Sequence, residues 1–364
     1  MNRKNGEKRA SAAFVPEKKP LIPTAPGAAL SLSDDKRYVV SSSPHVAADE
    51  GTRSIMLDVI IALTPTLCLS VYYFGWRSLM LTLECAALCV AFEWLWCRLM
   101  KKPQPVGDLS AVVTGMLIAF NLPATVPYYV PVVASAFAIL IVKQLYGGIG
   151  KNFMNPALAG RVFVFLCFTR AMASFPQVFS YAPILGGNAD VVTSATPLFS
   201  LKQGVLPEIT LTKLLIGQHG GVLGETGTVT LLAGGLYLML RRVISPRIPL
   251  CYLGTVAVLC YLFPKGGADR LQWMLYHLCS GGLMLGALFM ATDYTTSPVT
   301  GRGRILYGIG CGALTVLFRY FGTYAEGVSF AILLMNVCVW LLDKTGTPRR
   351  YGVVKSAGKG AANQ

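Results

Sequence analysis

Residues 54–74 read SIMLDVIIALTPTLCLSVYYF and carry one charged side chain, Asp58. About 20 such residues cross the hydrocarbon core of a bilayer as a helix. The same pattern recurs along the chain. Apolar stretches near 54–74, 77–99, 109–126, 128–146, 157–174, 226–243, 247–264, 270–291, 303–321 and 327–343 predict about ten spans. Pro123, Pro127 and Pro131 interrupt the third and fourth, which predicts broken or short helices. Broken helices are tolerated only where the freed backbone faces protein or a cavity. The expected fold is therefore all-α, a polytopic membrane body.

Composition agrees. The 364 residues are 54% hydrophobic and 13% charged, where soluble domains average about 25% charged. Mean hydropathy is +0.54. That excludes a disordered chain and argues against an ordinary soluble enzyme. The formal charge of +15 suggests nucleic acid until its distribution is read. With the amino terminus inside, the inner segments hold 25 Lys and Arg and the outer ones 7. Arg161 and Lys143 count as inner, Arg319 as outer. This is the positive-inside pattern, so the basic balance reports topology and no nucleic-acid partner is expected.

The layout gives five parts. Residues 1–52 form a polar tail with too little apolar content to order itself and no run suited to a signal peptide. Residues 53–174 make a first membrane half and 226–343 a second, each of five spans. Residues 175–225 make a long outer connection, and connections of that length are usually functional or disordered. Residues 344–364 end the chain on the cytoplasmic side. A weak internal echo accompanies the division. AVVTGMLIAFNLP (111–123) resembles GLMLGALFMATD (282–293), and GGIGKNFMNPALAGR (147–161) faces GTYAEGVSFAILLMN (322–336). An odd number of spans separates the halves, so the second would be an inverted repeat of the first, an arrangement common in transport proteins.

Several residues are candidates for chemistry. In the outer connection, DVVTSATPL (190–198) places Thr196 before a proline, which drives its backbone to an extended form. Taken alone this is a polar turn. The 147–156 turn, with Gly148, Asn152 and Asn155, precedes Pro156 at a helix start, where free N–H groups can meet a phosphate or carboxylate; a tight interhelical turn is the plainer reading. Ionisable residues inside spans are functional candidates by default. Asp58, Glu84 and Glu93 lie in spans, Asp293 begins an inner loop and Glu326 an outer one, with Glu84 expected deepest on this layout. The ten Cys lie mostly within spans and form no CxxC, so they read as packing residues, with no metal site, iron–sulfur cluster or disulfide expected. His45, His219 and His277 form no metal pattern. Trp76, Trp94, Trp96 and Trp340 near span ends read as interfacial anchors.

DVVTSATPL resembles the flavin-attachment sequence of the RnfD and NqrB family, membrane subunits of ion-pumping redox complexes. Ser43-Pro-His45 and the stretches MLDVIIALTP (56–65), DLSAVVTGMLIAFNLP (108–123) and KQLYGGIGKNFMNPALAGRVF (143–163) resemble the family in order. So do GETG (224–227), LYLMLRRVISPRIP (236–249), FMATDYTTSPVTGRGR (289–304) and AEGVSFAILLMN (325–336). The ATPL form and the chain length favour the RnfD branch. Many members have Gly where this chain has Ser194.

The resemblance implies electron transfer between ferredoxin and NAD coupled to Na+ or H+ movement in a bacterial cytoplasmic membrane. It implies FMN joined to Thr196 by a phosphoester, in a loop shaped by Asp190, Thr193, Ser194 and Ala195. A flavin transferase on the outer face and further membrane and peripheral subunits would be its partners. Gly148, Asn152, Asn155, Asp293 and Glu84 are weaker candidates for a second, noncovalent flavin such as riboflavin, or for the ion path. No residue here is expected to be catalytic alone. The alternatives are an NqrB-like subunit feeding quinone, and a flavin-free permease for a small solute.

Overall fold

The computed structural model describes residues 51–181, 183, 184, 196–324 and 326–346. The tail up to residue 50, the 185–195 stretch and the end of the chain lie outside these residues. The described residues are helical, and every expected span contains a helix. The first half holds α1 (Thr52–Phe74), α2 (Trp76–Leu99), α3 (Ser110–Phe120), α4 (Tyr129–Ala136), α5 (Pro156–Cys167) and the short α6 (Thr169–Met172). Two short helices, α7 (Pro197–Lys202) and α8 (Leu211–Ile216), lie in the long connection. The second half holds α9 (Thr228–Leu240), α10 (Arg247–Leu262), α11 (Arg270–Cys279), α12 (Leu283–Leu285), α13 (Gly301–Phe321), α14 (Val328–Val337) and α15 (Val339–Gly346).

Local chemistry sets the boundaries. Gly75 joins α1 to α2 with φ +81°, a conformation costly for any residue with a Cβ. Asn155 caps α5: its side-chain oxygen accepts from the N–H groups of Ala157 and Leu158 at 3.0 and 3.3 Å, and Pro156 fills the first turn. Thr300 caps α13 through the N–H of Gly303 at 3.1 Å.

Helices α1 and α2 are each long and apolar enough to cross a membrane. The pair α11 with 283–290, bent by 67°, and the pair α14 with α15, bent by 59°, are long enough only when taken together. The remaining apolar segments include helices of 10–17 residues. The proline-interrupted third and fourth segments are short, as expected: α3 stops at Phe120, and α4 begins at Tyr129.

The surface is apolar and the interior partly polar, the reverse of a soluble domain. Leu99, Leu240, Leu250 and Phe321 are exposed, whereas Thr66, Ser70, Ser78, Thr82 and Ser135 are buried. Small polar residues suit helix interfaces in lipid. Trp76, Trp94 and Trp340 are exposed. The ten Cys are free thiols, six of them buried. All-helical architecture with an apolar exterior makes this a polytopic membrane protein.

Two features position the functional groups. First, two segments wind as π-helix: Phe137–Gln144, continuing α4, and Gly286–Met290, continuing α12. Such turns are rare and concentrate at functional sites. Second, residues 219–228, largely irregular, are buried without a break. This run belongs to the connection and the entry to α9, and it threads the body: the N–H of Leu223 donates to the carbonyl of Leu122 at 3.1 Å. A Cβ on Gly224 would meet Phe120 at 2.7 Å and Leu285 at 2.8 Å, so only glycine fits this crossing. The two echo segments meet nearby, with Asn121 Nδ2 3.7 Å from Met290 Sδ.

Candidate functional site

Two cavities concentrate the candidate residues. The first has a volume of about 380 Å³ and is lined by Thr196, Arg161, Glu225, Glu326 and Ser329 among aromatic rings. Thr196 precedes α7 with φ −69° and ψ 147°, the extended form expected before proline. Its hydroxyl makes no capping bond to α7. Phe165, Phe175, Phe199, Tyr324 and Phe330 supply flat apolar surface, and Tyr324 stacks on Phe330 at 9° between planes. A cavity of this size and lining suits a small aromatic ligand. Asp190, Thr193, Ser194 and Ala195 lie outside the described residues.

The Arg161 guanidinium donates to Glu326 and to Ser329. This corrects the charge tally: Arg161 is a buried ion-pair partner, not an inner-surface cation. Lys143 and Arg319 are buried likewise. Sequence reading could not see this, because a cation near either end of a helix is counted with the flanking loop.

The second cavity measures about 330 Å³ and gathers candidates from both halves: Asn152, Asn155 and Asp293, with Ser110, Thr114, Lys143 and Thr295. Asn152 donates to Thr295 Oγ1 and Asn155 to the carbonyl of Met290, both at 3.2 Å. Asp293 accepts from Thr295 at 2.9 Å and from Thr296 at 3.1 Å. Burial nevertheless holds the Asp293 carboxyl above the ordinary carboxylate range, against those hydroxyls. Gly148 borders this region in the turn, with φ +92°, and lines neither cavity.

Glu84 also lines neither cavity. It is half-buried on α2, and its Oε2 has no hydrogen-bond partner. Glu93, on the same helix, is the more buried of the two at 1% exposed. Glu93 pairs with Lys143 at 2.8 Å and accepts from Gln144 Nε2 at 2.6 Å. The π-helical winding brings both Lys143 and Gln144 inward, which a 3.6-residue period does not anticipate. Lys143 also donates to Ser110 Oγ at 2.7 Å. Asp58 faces Tyr237 at 2.9 Å and Arg241 at 3.2 Å, joining α1 to α9. Among the described residues no group of three or more His, Cys, Asp or Glu could hold a metal.

The family model described as NQR2, RnfD, RnfE matches residues 39–352. The D-type subunit of the Na(+)-translocating ferredoxin:NAD(+) oxidoreductase complex of Acetobacterium woodii is 48% identical over 325 residues, covering 88% of this chain and 98% of that one. The counterpart from the proton-translocating ferredoxin:NAD(+) oxidoreductase complex of Clostridium ljungdahlii is 37% identical, covering 86% and 96%. The corresponding chain of the ion-translocating oxidoreductase complex of Stutzerimonas stutzeri is 40% identical, covering 82% and 91%. With a match spanning both halves and both cavities, the chain belongs to the NQR2, RnfD, RnfE family.

Proposed function

We propose that this chain is the D-type membrane subunit of an Rnf-type complex, and that it carries FMN on Thr196 as an electron relay. The complex would couple electron transfer between ferredoxin and NAD to Na+ or H+ movement. The site would face the outer side of a bacterial cytoplasmic membrane, with both termini inside. Family membership and the names of its relatives, all D-type subunits of such complexes, support the assignment to a complex. One observation carries the cofactor reading: Thr196 lines a cavity that combines a guanidinium with five aromatic side chains.

The residues fit such a group. Thr196 supplies a hydroxyl that ends in no local hydrogen bond to its helix, so it is available for phosphoester formation by a transferase. Bound FMN would supply one- and two-electron chemistry, which the protein orients and tunes. Arg161 places a guanidinium in the cavity, ion-paired with Glu326, and the aromatic walls exclude water from a ring system. The second cavity, with Asn152, Asn155 and Asp293, offers amide donors and acceptors around an apolar centre. It supports a second, noncovalent flavin or a segment of the ion path.

In-gel fluorescence after denaturation tests the reading. The wild-type chain, produced with its transferase, retains flavin fluorescence, and Thr196→Val loses it. Fluorescence persisting in Thr196→Val moves the attachment elsewhere.

A further inference from the structure

Three ionisable groups meet in the cavity that Thr196 lines, and relaying electrons uses none of them directly. Glu225 comes from the buried 219–228 run, Glu326 from the turn between α13 and α14, and Arg161 from α5. Glu225 and Glu326 line this one cavity, and their carboxyls lie close enough to act on each other. Glu326 also takes the Arg161 guanidinium and, at 3.1 Å, the N–H of Gly282. Two glycines make the seat. A Cβ on Gly221 would stand 2.5 Å from Glu225 Oε2, and one on Gly282 would stand 2.7 Å from Glu326 Oε1.

We propose that Glu225 and Glu326 hold one exchangeable proton between them, making this cavity a proton-binding site whose occupancy follows the charge carried at Thr196.

Burial of two carboxyls side by side, with one guanidinium in direct contact, favours one proton between them. One guanidinium neutralises one carboxylate, and a second carboxyl beside it ionises poorly out of water. A single proton between the two oxygens satisfies both and leaves the triad neutral. The two groups then titrate as a pair rather than separately. Burial and the adjoining Glu326 hold Glu225 well above the ordinary carboxylate range. At Glu326 burial acts the same way but is outweighed by Arg161, which holds that carboxyl low.

Among the described residues, Arg319 is the one other cation that acts on Glu225, and it makes no hydrogen bond to that carboxyl. The turn carrying it packs on α1, α3 and α12. Helices α3 and α12 have no ionisable residue, and the one acid of α1, Asp58, is engaged with Arg241. From α13, Arg319 acts on both carboxyls through space, but its hydrogen bonds go to the carbonyls of His277 and Ser280. From α7, Lys202 donates to the carbonyl of Thr323. Helix α14 contributes only Ser329 to the triad.

The proton exchanges through the cavity. A phosphodiester on Thr196 adds negative charge there and strengthens proton binding. That dependence rests on the FMN reading above; the shared proton does not.

Infrared spectroscopy on the purified full-length chain separates the two. A protonated-carboxyl C=O band, shifted in D2O, is expected at neutral pH, also in flavin-free Thr196→Val. Glu225→Gln and Glu326→Gln each remove that same band, because either leaves one carboxyl beside Arg161, which ionises. In Thr196→Val the band titrates about one pH unit below its position in flavin-loaded protein. Absence of the band from wild-type protein, or its survival in either Gln variant, overturns the shared proton. Equal titration in loaded and flavin-free protein overturns the link to Thr196.

Discussion

Asn155 and Arg161 stand six residues apart on α5, so about 9 Å of helix rise separates the wall of one cavity from the wall of the other. One short helix therefore connects both candidate sites. Its amino-terminal cap, Asn155, is fixed to the second half through Met290, and Arg161 is fixed there through Glu326 and Ser329.

The pair Glu93–Lys143 gives a stability prediction. Both side chains are buried, and removing one partner leaves an uncompensated charge, a loss of about 3–5 kcal/mol. Lys143→Met is expected to lower the thermal midpoint strongly. The double variant with Glu93→Met recovers most of that loss, because no buried charge remains. Thermal unfolding of the three proteins in one detergent checks the order.

Close helix contact predicts a second pair of outcomes. A Cβ on Gly115 of α3 would stand 2.5 Å from Ala86 Cα of α2, and backbone cannot yield as a side-chain tip does. Gly115→Ala is expected to cost about 1–3 kcal/mol. Gly254 of α10 has nothing within 4 Å, so Gly254→Ala is neutral or gains about 0.5–1 kcal/mol from helix propensity. Equal effects at the two positions would contradict the packing.

These contacts show where sequence reading succeeds and where it stops. Apolar runs locate a helix in every expected stretch, because apolar side chains suit a lipid-facing helix; prolines at 123, 127 and 131 mark the broken region. The extended Thr196 follows from Pro197. What stays hidden depends on unusual winding or distant pairing. Lys143 turns inward on a π-helix, and Arg161 meets Glu326 across the fold. The buried 219–228 run reads as ordinary loop, since its glycines and His219 carry no periodicity. Only its density of small residues hints at close backbone approach.

Asp293 gives a pH prediction. Burial raises its folded-state pKa above the ordinary 3.8, so the folded chain keeps a proton that the unfolded chain has lost. Its contribution to stability is complete below 3.8 and is lost as pH rises through the folded-state value. Asp293→Asn is expected to flatten that part of the stability–pH curve. An unchanged slope in the variant would assign the titration to another group.

Chemistry at residue 196 should follow the hydroxyl. Thr196→Ser retains a nucleophile for phosphoester formation and is expected to keep some covalent flavin, whereas Thr196→Val keeps the shape and loses the group entirely. Absorbance of the denatured, washed chain measures both.

Intact mass of the purified wild-type chain reads the covalent FMN itself. The expected result is one added FMN less one water, with the added mass on the peptide containing Thr196. A chain at its unmodified mass, produced alongside an active flavin transferase, would contradict the claim.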